Sequence, residues 1–138
     1  DSLLALLDPT WDSPGVPVGR LTVRPFAVEP MRQEYATVGF VVTEGDHAAA
    51  YAPDMAGFAA TPPTEDIDLF VCEGSPFVGR NHGPADELRA SIERLDADRT
   101  VLVNASEHAR HEHTGRLEES ADAVGCELGA DFESYTVE

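Results

Sequence analysis

The chain has no lysine: its nine basic residues are all arginines, set against 26 aspartates and glutamates, for a formal charge of −17. No basic stripe interleaved with aromatics is present to release counterions from phosphates, so a nucleic-acid track is not expected. The same charge argues against anionic membranes. No apolar run approaches the ~20 residues of a spanning helix, and "DSLLALLDP" is too short and too acidic for a signal peptide. A cytoplasmic location is expected. Cysteine is scarce: Cys72 lies inside "IDLFVCEG" and Cys126 follows Gly125, with no C-x-x-C pair, which predicts two buried free thiols rather than a metal or redox motif. A carboxylate excess spread through an otherwise globular composition keeps a protein hydrated in concentrated salt, where the Debye length falls to about 3 Å and self-repulsion is screened. An extreme halophile is therefore the expected source, with a fold weakened at low salt.

With 138 residues the chain fits one domain, spanning 1–138, able to bury roughly 65–70% of its unfolded surface. Residues 1–19, rich in proline and glycine, read as a connecting segment within it. Four β-rich runs follow, "LTVRPFAVE", "ATVGFVVTE", "HAAAYA" and "DIDLFVCEG", and in the second Val38, Phe40 and Val42 share one face at period two. A helix is predicted with Pro84 at its first position, Asp86 and Glu87 in the first turn and Arg94 in the last. Its apolar stripe is Leu88, Ile92 and Leu95. "RTVLVNA" reads as a buried strand, "GRLEESADAVG" as a second helix with Leu117, Ala121 and Val124 inward and Gly125 as its stop, and "CELGADFESYTVE" as one or two closing strands. The expected class is α/β (α+β), a mixed sheet with two main helices on one face.

Few residues invite chemistry. In "YAPDMAG", Asp54 sits where an apolar strand runs into a turn; it is either a solvated turn residue or a ligand held over a site. His82, in "RNHGPADEL", precedes a helix N-terminus and could give a proton to a leaving group, or be a solvated loop histidine. His108, His111 and His113 crowd one segment, but on a helix only His108 and His111 share a face, so an exposed helix start explains them more simply than zinc. Ser75, in "EGSP", resembles part of a nucleophile elbow without the G-x-S-x-G pattern.

The runs "VGRLTVRPFAVEP", "ATVGFVVTEGDHAAAYAPDMAGF", "IDLFVCEGSPF" and "NHGPADELRASIERLDADRTVLVNASEH" together resemble the C-terminal half of metallo-β-lactamase superfamily hydrolases, in the branch of tRNase Z and the phosphonate-pathway cyclic phosphodiesterase. The resemblance implies half of an αββα sandwich with metal ligands at its edge. Asp54 matches the aspartate that bridges two metals, and His82 matches a histidine that protonates the leaving group. Two departures stand beside these matches. Where the family has a histidine after the first strand the chain reads Val28-Glu29-Pro30, and where it has "LTH" the chain reads Leu102-Val103-Asn104. The first-half H-x-H-x-D-H motif is absent from these residues too.

One carboxylate does not hold a catalytic zinc, which needs about three protein ligands. The resemblance therefore implies a catalytically degenerate domain without a metal cofactor, with Asp54 a vestigial ligand. Half of a sandwich would also leave one apolar sheet face open, an expected site for a homodimer or another protein partner. "DSLLALLDPTW" is short for covering it. The alternative is a metal-dependent phosphodiesterase or related hydrolase that binds zinc or manganese with ligands from another chain or from a missing N-terminal half. His82 would then be its general acid. A small anion-binding module built on Arg80, His82 and the following helix is a third possibility.

Overall fold

The computed structural model describes residues 15–32, 37–60, 62–64, 66–78, 82–105, 111–112 and 114–137. Its strands are β1 (Val16–Val18), β2 (Leu21–Glu29), β3 (Val38–Glu44), β4 (His47–Ala52), β5 (Gly57–Phe58), β6 (Leu69–Glu73), β7 (Arg99–Val103) and β8 (Glu127–Leu128). Helix α1 (His82–Leu95) joins β6 to β7, and α2 (Thr114–Ala123) joins β7 to β8. A 3-10 turn occupies Ser75–Val78.

The strands form one mixed sheet in the order β1-β2-β3-β4-β6-β7-β8, with β5 pairing β2. β1, β2, β3 and β4 pair antiparallel, with tight turns between β1 and β2 and between β3 and β4; β4, β6, β7 and β8 are parallel, with helices joining β6 to β7 and β7 to β8. The register puts Phe26, Gly39, Val41, Ala50, Ala52, Phe70, Cys72 and Leu102 on one face. Apart from Gly39, these residues make a single buried cluster with Leu88, Ile92, Leu95 and Ala121, so both helices cover that face. The predicted stripe of α1 is the one that packs.

Small side chains on the middle strand let the layers meet. Ala48, Ala50 and Ala52 are buried between larger neighbours on β3 and β6, with Ala50 level with Val41 and Phe70. Phe26 lies over Gly39, its cross-strand partner, so closely that an added Cβ would come within 2.3 Å of the ring. Phe58 extends this layer, with ring centroids 5.8 Å from Phe26 and 5.7 Å from Phe70 and the Arg94 guanidinium stacked above it. Gly125, at φ 68°, ends α2 as its sequence position predicts.

The opposite face carries Val23, Phe40, Val42, Ala49, Tyr51 and Val71 in register. Val38, Phe40 and Val42 thus share a face as expected, but it is the one away from the helices. They are half-buried, and Tyr51 is 47% exposed.

Two expectations change. Val16–Val18, read as connecting chain, pairs with β2 through a turn at Gly19 and Arg20; Pro17 is tolerated because β1 is an edge strand. Helix α1 starts at His82 rather than Pro84, within the usual fraying of a helix end. The C-terminal segment closes with one strand, the two-residue β8, within the expected one or two.

Candidate functional site

Ligand sites in open α/β sheets gather at the carboxyl ends of parallel strands. Here Ala52, Cys72 and Leu102 are level across β4, β6 and β7, which brings Pro53, Glu73 and Asn104 to one edge. Glu73 is 1% exposed. One of its carboxylate oxygens accepts the Ser75 backbone N–H at 2.9 Å, and the other accepts the Asn104 Nδ2 group at 2.9 Å. The same Asn104 nitrogen donates to the Pro53 carbonyl, also at 2.9 Å. One amide therefore ties the loops after β4 and β7 to the end of β6.

Burial pushes the Glu73 carboxyl above its ordinary pKa. The hydrogen bonds from Ser75 and Asn104 oppose this, and the nearby charge of Asp54 adds to it. Asn104 reaches its position with a left-handed backbone, φ 59°, which asparagine tolerates better than most residues. Asp54 stays exposed at the rim, while the next residue, Met55, is fully buried and pins the loop. Ala56 donates its N–H to the Glu29 carbonyl at 2.8 Å, so the Asp54 loop and the end of β2, where Pro30 follows, are joined.

The structure thus brings the Asp54 loop, Asn104 and the Pro30 end of β2 to one edge. His82 opens α1; its side chain lies outside the described residues, as do Arg80, His108, His113 and residues 1–14. His111 is exposed and helical. Ser75 begins the 3-10 turn and serves Glu73 through its backbone N–H. Cys72 and Cys126 are free and buried, and burial raises both thiols, Cys126 to about 11. Sequence reading missed Glu73, the one acid in an otherwise apolar strand end.

The described residues do not fit a zinc ion. Pro30 has no side-chain donor atom, and the amide nitrogen of Asn104 points at two oxygens as a hydrogen-bond donor. Among the described residues no group of three or more histidines, cysteines and acids could hold a metal.

The architecture is a metallo-β-lactamase-like fold. Among solved structures, the chain is similar to Zn(2+)-bound PqqB from Methylobacterium extorquens, with a TM-score of 0.55 and 19% identity over 83% of this chain and 50% of that one. It is also similar to a mutant of the CmlA beta-hydroxylase, with a TM-score of 0.52 and 10% identity over 83% of this chain and 31% of that one. The chain spans half the length of the first and less than a third of the second. At such identities the likeness establishes the fold alone. No protein-family profile and no curated protein matches the chain. Among the described residues no helix is long and apolar enough to cross a membrane.

Proposed function

We propose that this chain is a catalytically degenerate, metal-free form of the metallo-β-lactamase-like fold, resembling the second half of the tRNase Z branch. In this reading it acts in a salt-rich cytoplasm by association, using the open face of its sheet to hold a second copy or a separate protein chain. The observation that carries the reading is Asn104. At the strand end where the resemblance expects a histidine ligand, its amide spends its hydrogens on Pro53 and Glu73. Proline at position 30 supports the same conclusion, and the face of half-buried Phe40 and Val42 with the exposed Tyr51 supports association. Purification in molar KCl followed by metal mass spectrometry and sedimentation tests both parts. Absence of stoichiometric zinc or manganese and a dimer or complex are expected. A tightly held metal overturns the first part, and a monomer at all concentrations overturns the second.

One observation favours a second reading, a metal-dependent phosphodiesterase. Asp54 is an exposed carboxylate at the correct strand end. It would bridge zinc or manganese, with His82 as general acid and the remaining ligands from another chain or an N-terminal half. Hydrolysis of bis-p-nitrophenyl phosphate with added manganese or zinc, lost in Asp54→Asn, would establish it.

A further inference from the structure

Helix α1 and the short strand β5 enclose a cleft of about 420 Å³, within the roughly 300–1,000 Å³ of small-ligand sites. Its shape starts from Gly57. A Cβ there would come within 2.8 Å of the Glu87 Cγ and lie 3.4 Å from both the Glu87 Oε1 and the Ser91 Oγ. The missing side chain lets one carboxylate and one hydroxyl converge over β5. Glu87, Ser91 and Arg94, at i, i+4 and i+7, share a face of α1, and all three line the cleft with Phe58 and Asp86.

Two of these groups are fixed in place with hydrogens still to donate. Ser91 is 5% exposed, and its hydroxyl oxygen accepts the Phe58 backbone N–H at 3.2 Å. A hydroxyl also carries a hydrogen of its own, and no described residue accepts it. The Arg94 guanidinium lies 5.4 Å from the centroid of the Phe58 ring, which orients it by cation–π attraction. Among the described residues no carboxylate pairs with it, although the chain carries 26 acids against nine arginines.

The signs of the charges decide what fits. A plain cation is drawn to Asp86 and Glu87 but meets Arg94; a plain anion is drawn to Arg94 but is repelled by both acids. A ligand carrying both charges satisfies both ends. Glu87 and Arg94 are two turns apart, about 10 Å along the helix axis, and a long helical side chain leans back towards the N-terminus, so the ligand's charges must lie roughly 5–8 Å apart. An α-amino acid is too short. A dipeptide, at about 3.3–3.6 Å per residue, has the right length.

We propose that this cleft binds a short zwitterionic peptide of dipeptide length, with its ammonium held by Glu87 and Asp86, its carboxylate by Arg94, and its peptide carbonyl accepting the Ser91 hydroxyl. The site uses none of the residues of the Asn104 edge, and it stands whether or not the chain holds a metal or associates.

Titration of the full chain with glycylglycine in molar KCl, followed by amide chemical shifts in NMR, tests this. Saturable shifts centred on Gly57, Phe58 and Ser91 are expected. Blocking the amine as N-acetylglycylglycine, or the carboxylate as glycylglycinamide, should each weaken binding about tenfold, the worth of one charge-assisted hydrogen bond. Glu87→Gln should largely remove the penalty of acetylation, and Arg94→Gln that of amidation; the blocked peptides decide the matter where a variant fails to fold. No saturable shift at these residues, equal binding of the blocked peptides, or acetate bound as tightly as glycylglycine overturns the site. Glycine bound as tightly as glycylglycine overturns the assigned length.

Discussion

Replacing Asn104 isolates the hydrogen-bonded edge from the rest of the fold. Asn104→Gly is the informative change, because the left-handed backbone at this position, φ 59°, would strain alanine but not glycine. The substitution removes two hydrogen bonds of 2.9 Å. The bond to Glu73 is charge-assisted when the carboxyl is ionised and contributes about 1.5–3 kcal/mol. With Glu73 1% exposed, water replaces it poorly. The bond to the half-buried Pro53 carbonyl adds about 1 kcal/mol, so the expected loss near neutral pH is about 3 kcal/mol, or about 10 °C in a chain of this size. The pH dependence has a definite sign. A carboxyl whose folded pKa is raised contributes stability that is complete below its unfolded value, about 4.3, and is lost as pH rises through the folded value. Burial is the main cause of the rise for Glu73, and the Asn104 hydrogen bond holds it back. Its removal pushes the folded value higher, so the penalty of Asn104→Gly grows with pH. Thermal and urea unfolding at about pH 5 and about pH 8, in high salt, measures this against the unsubstituted chain. A penalty below about 0.5 kcal/mol at the higher pH, or one that shrinks as pH rises, refutes the role assigned to Asn104.

Gly39→Ala should cost about 3 kcal/mol by overpacking, since three Phe26 ring atoms lie 2.3, 2.5 and 2.8 Å from the new Cβ; Phe26→Leu in the same chain should recover part of it, and a tolerated single change would show that the ring can retreat. Cys126 should alkylate faster with each rise in pH towards about 11, while Cys72, fully buried, stays silent until the chain unfolds; rapid labelling of Cys72 in the folded chain contradicts the packing. The unfolding midpoint should climb as added KCl shortens the Debye length from about 10 to about 3 Å. A flat or falling midpoint removes the argument for adaptation to salt.

The parts of the fold that could be read from sequence are those whose residues answer only to their own period. Leu88, Ile92 and Leu95 repeat at helical spacing and pack as that spacing demands, and "RTVLV" and "DLFVC" are short apolar runs that could be little else than central strands. Position two apart on β3 showed that Val38, Phe40 and Val42 share a face but not which face, because Gly39 and Val41 give an equally apolar alternate row. The helix side goes to that row because Gly39 makes room for Phe26. β1 was hidden by Pro17 and by its length of three residues; only pairing with β2 defines it. Glu73 was visible as an acid ending an apolar strand, yet its partner Asn104 is 31 residues away. Nothing short of the β6–β7 register brings the two together.

That register also limits what position 104 can hold. Because β4, β6 and β7 end level, the side chain at 104 faces a backbone carbonyl and a buried carboxylate at once. An amide nitrogen can donate to both oxygens, whereas each imidazole nitrogen has at most one hydrogen to give. Asn104→His therefore leaves Glu73 or Pro53 without its donor. It adds one imidazole at the edge that carries Asp54, while the other acid there, Glu73, is 1% exposed and already accepts the Ser75 N–H, so it is poorly placed to complete a zinc site. The expected outcome is a lower melting temperature that added zinc does not restore. A zinc-dependent recovery, absent from the unsubstituted chain, would mean that further ligands converge on this edge, and the enzyme reading would then displace the metal-free one.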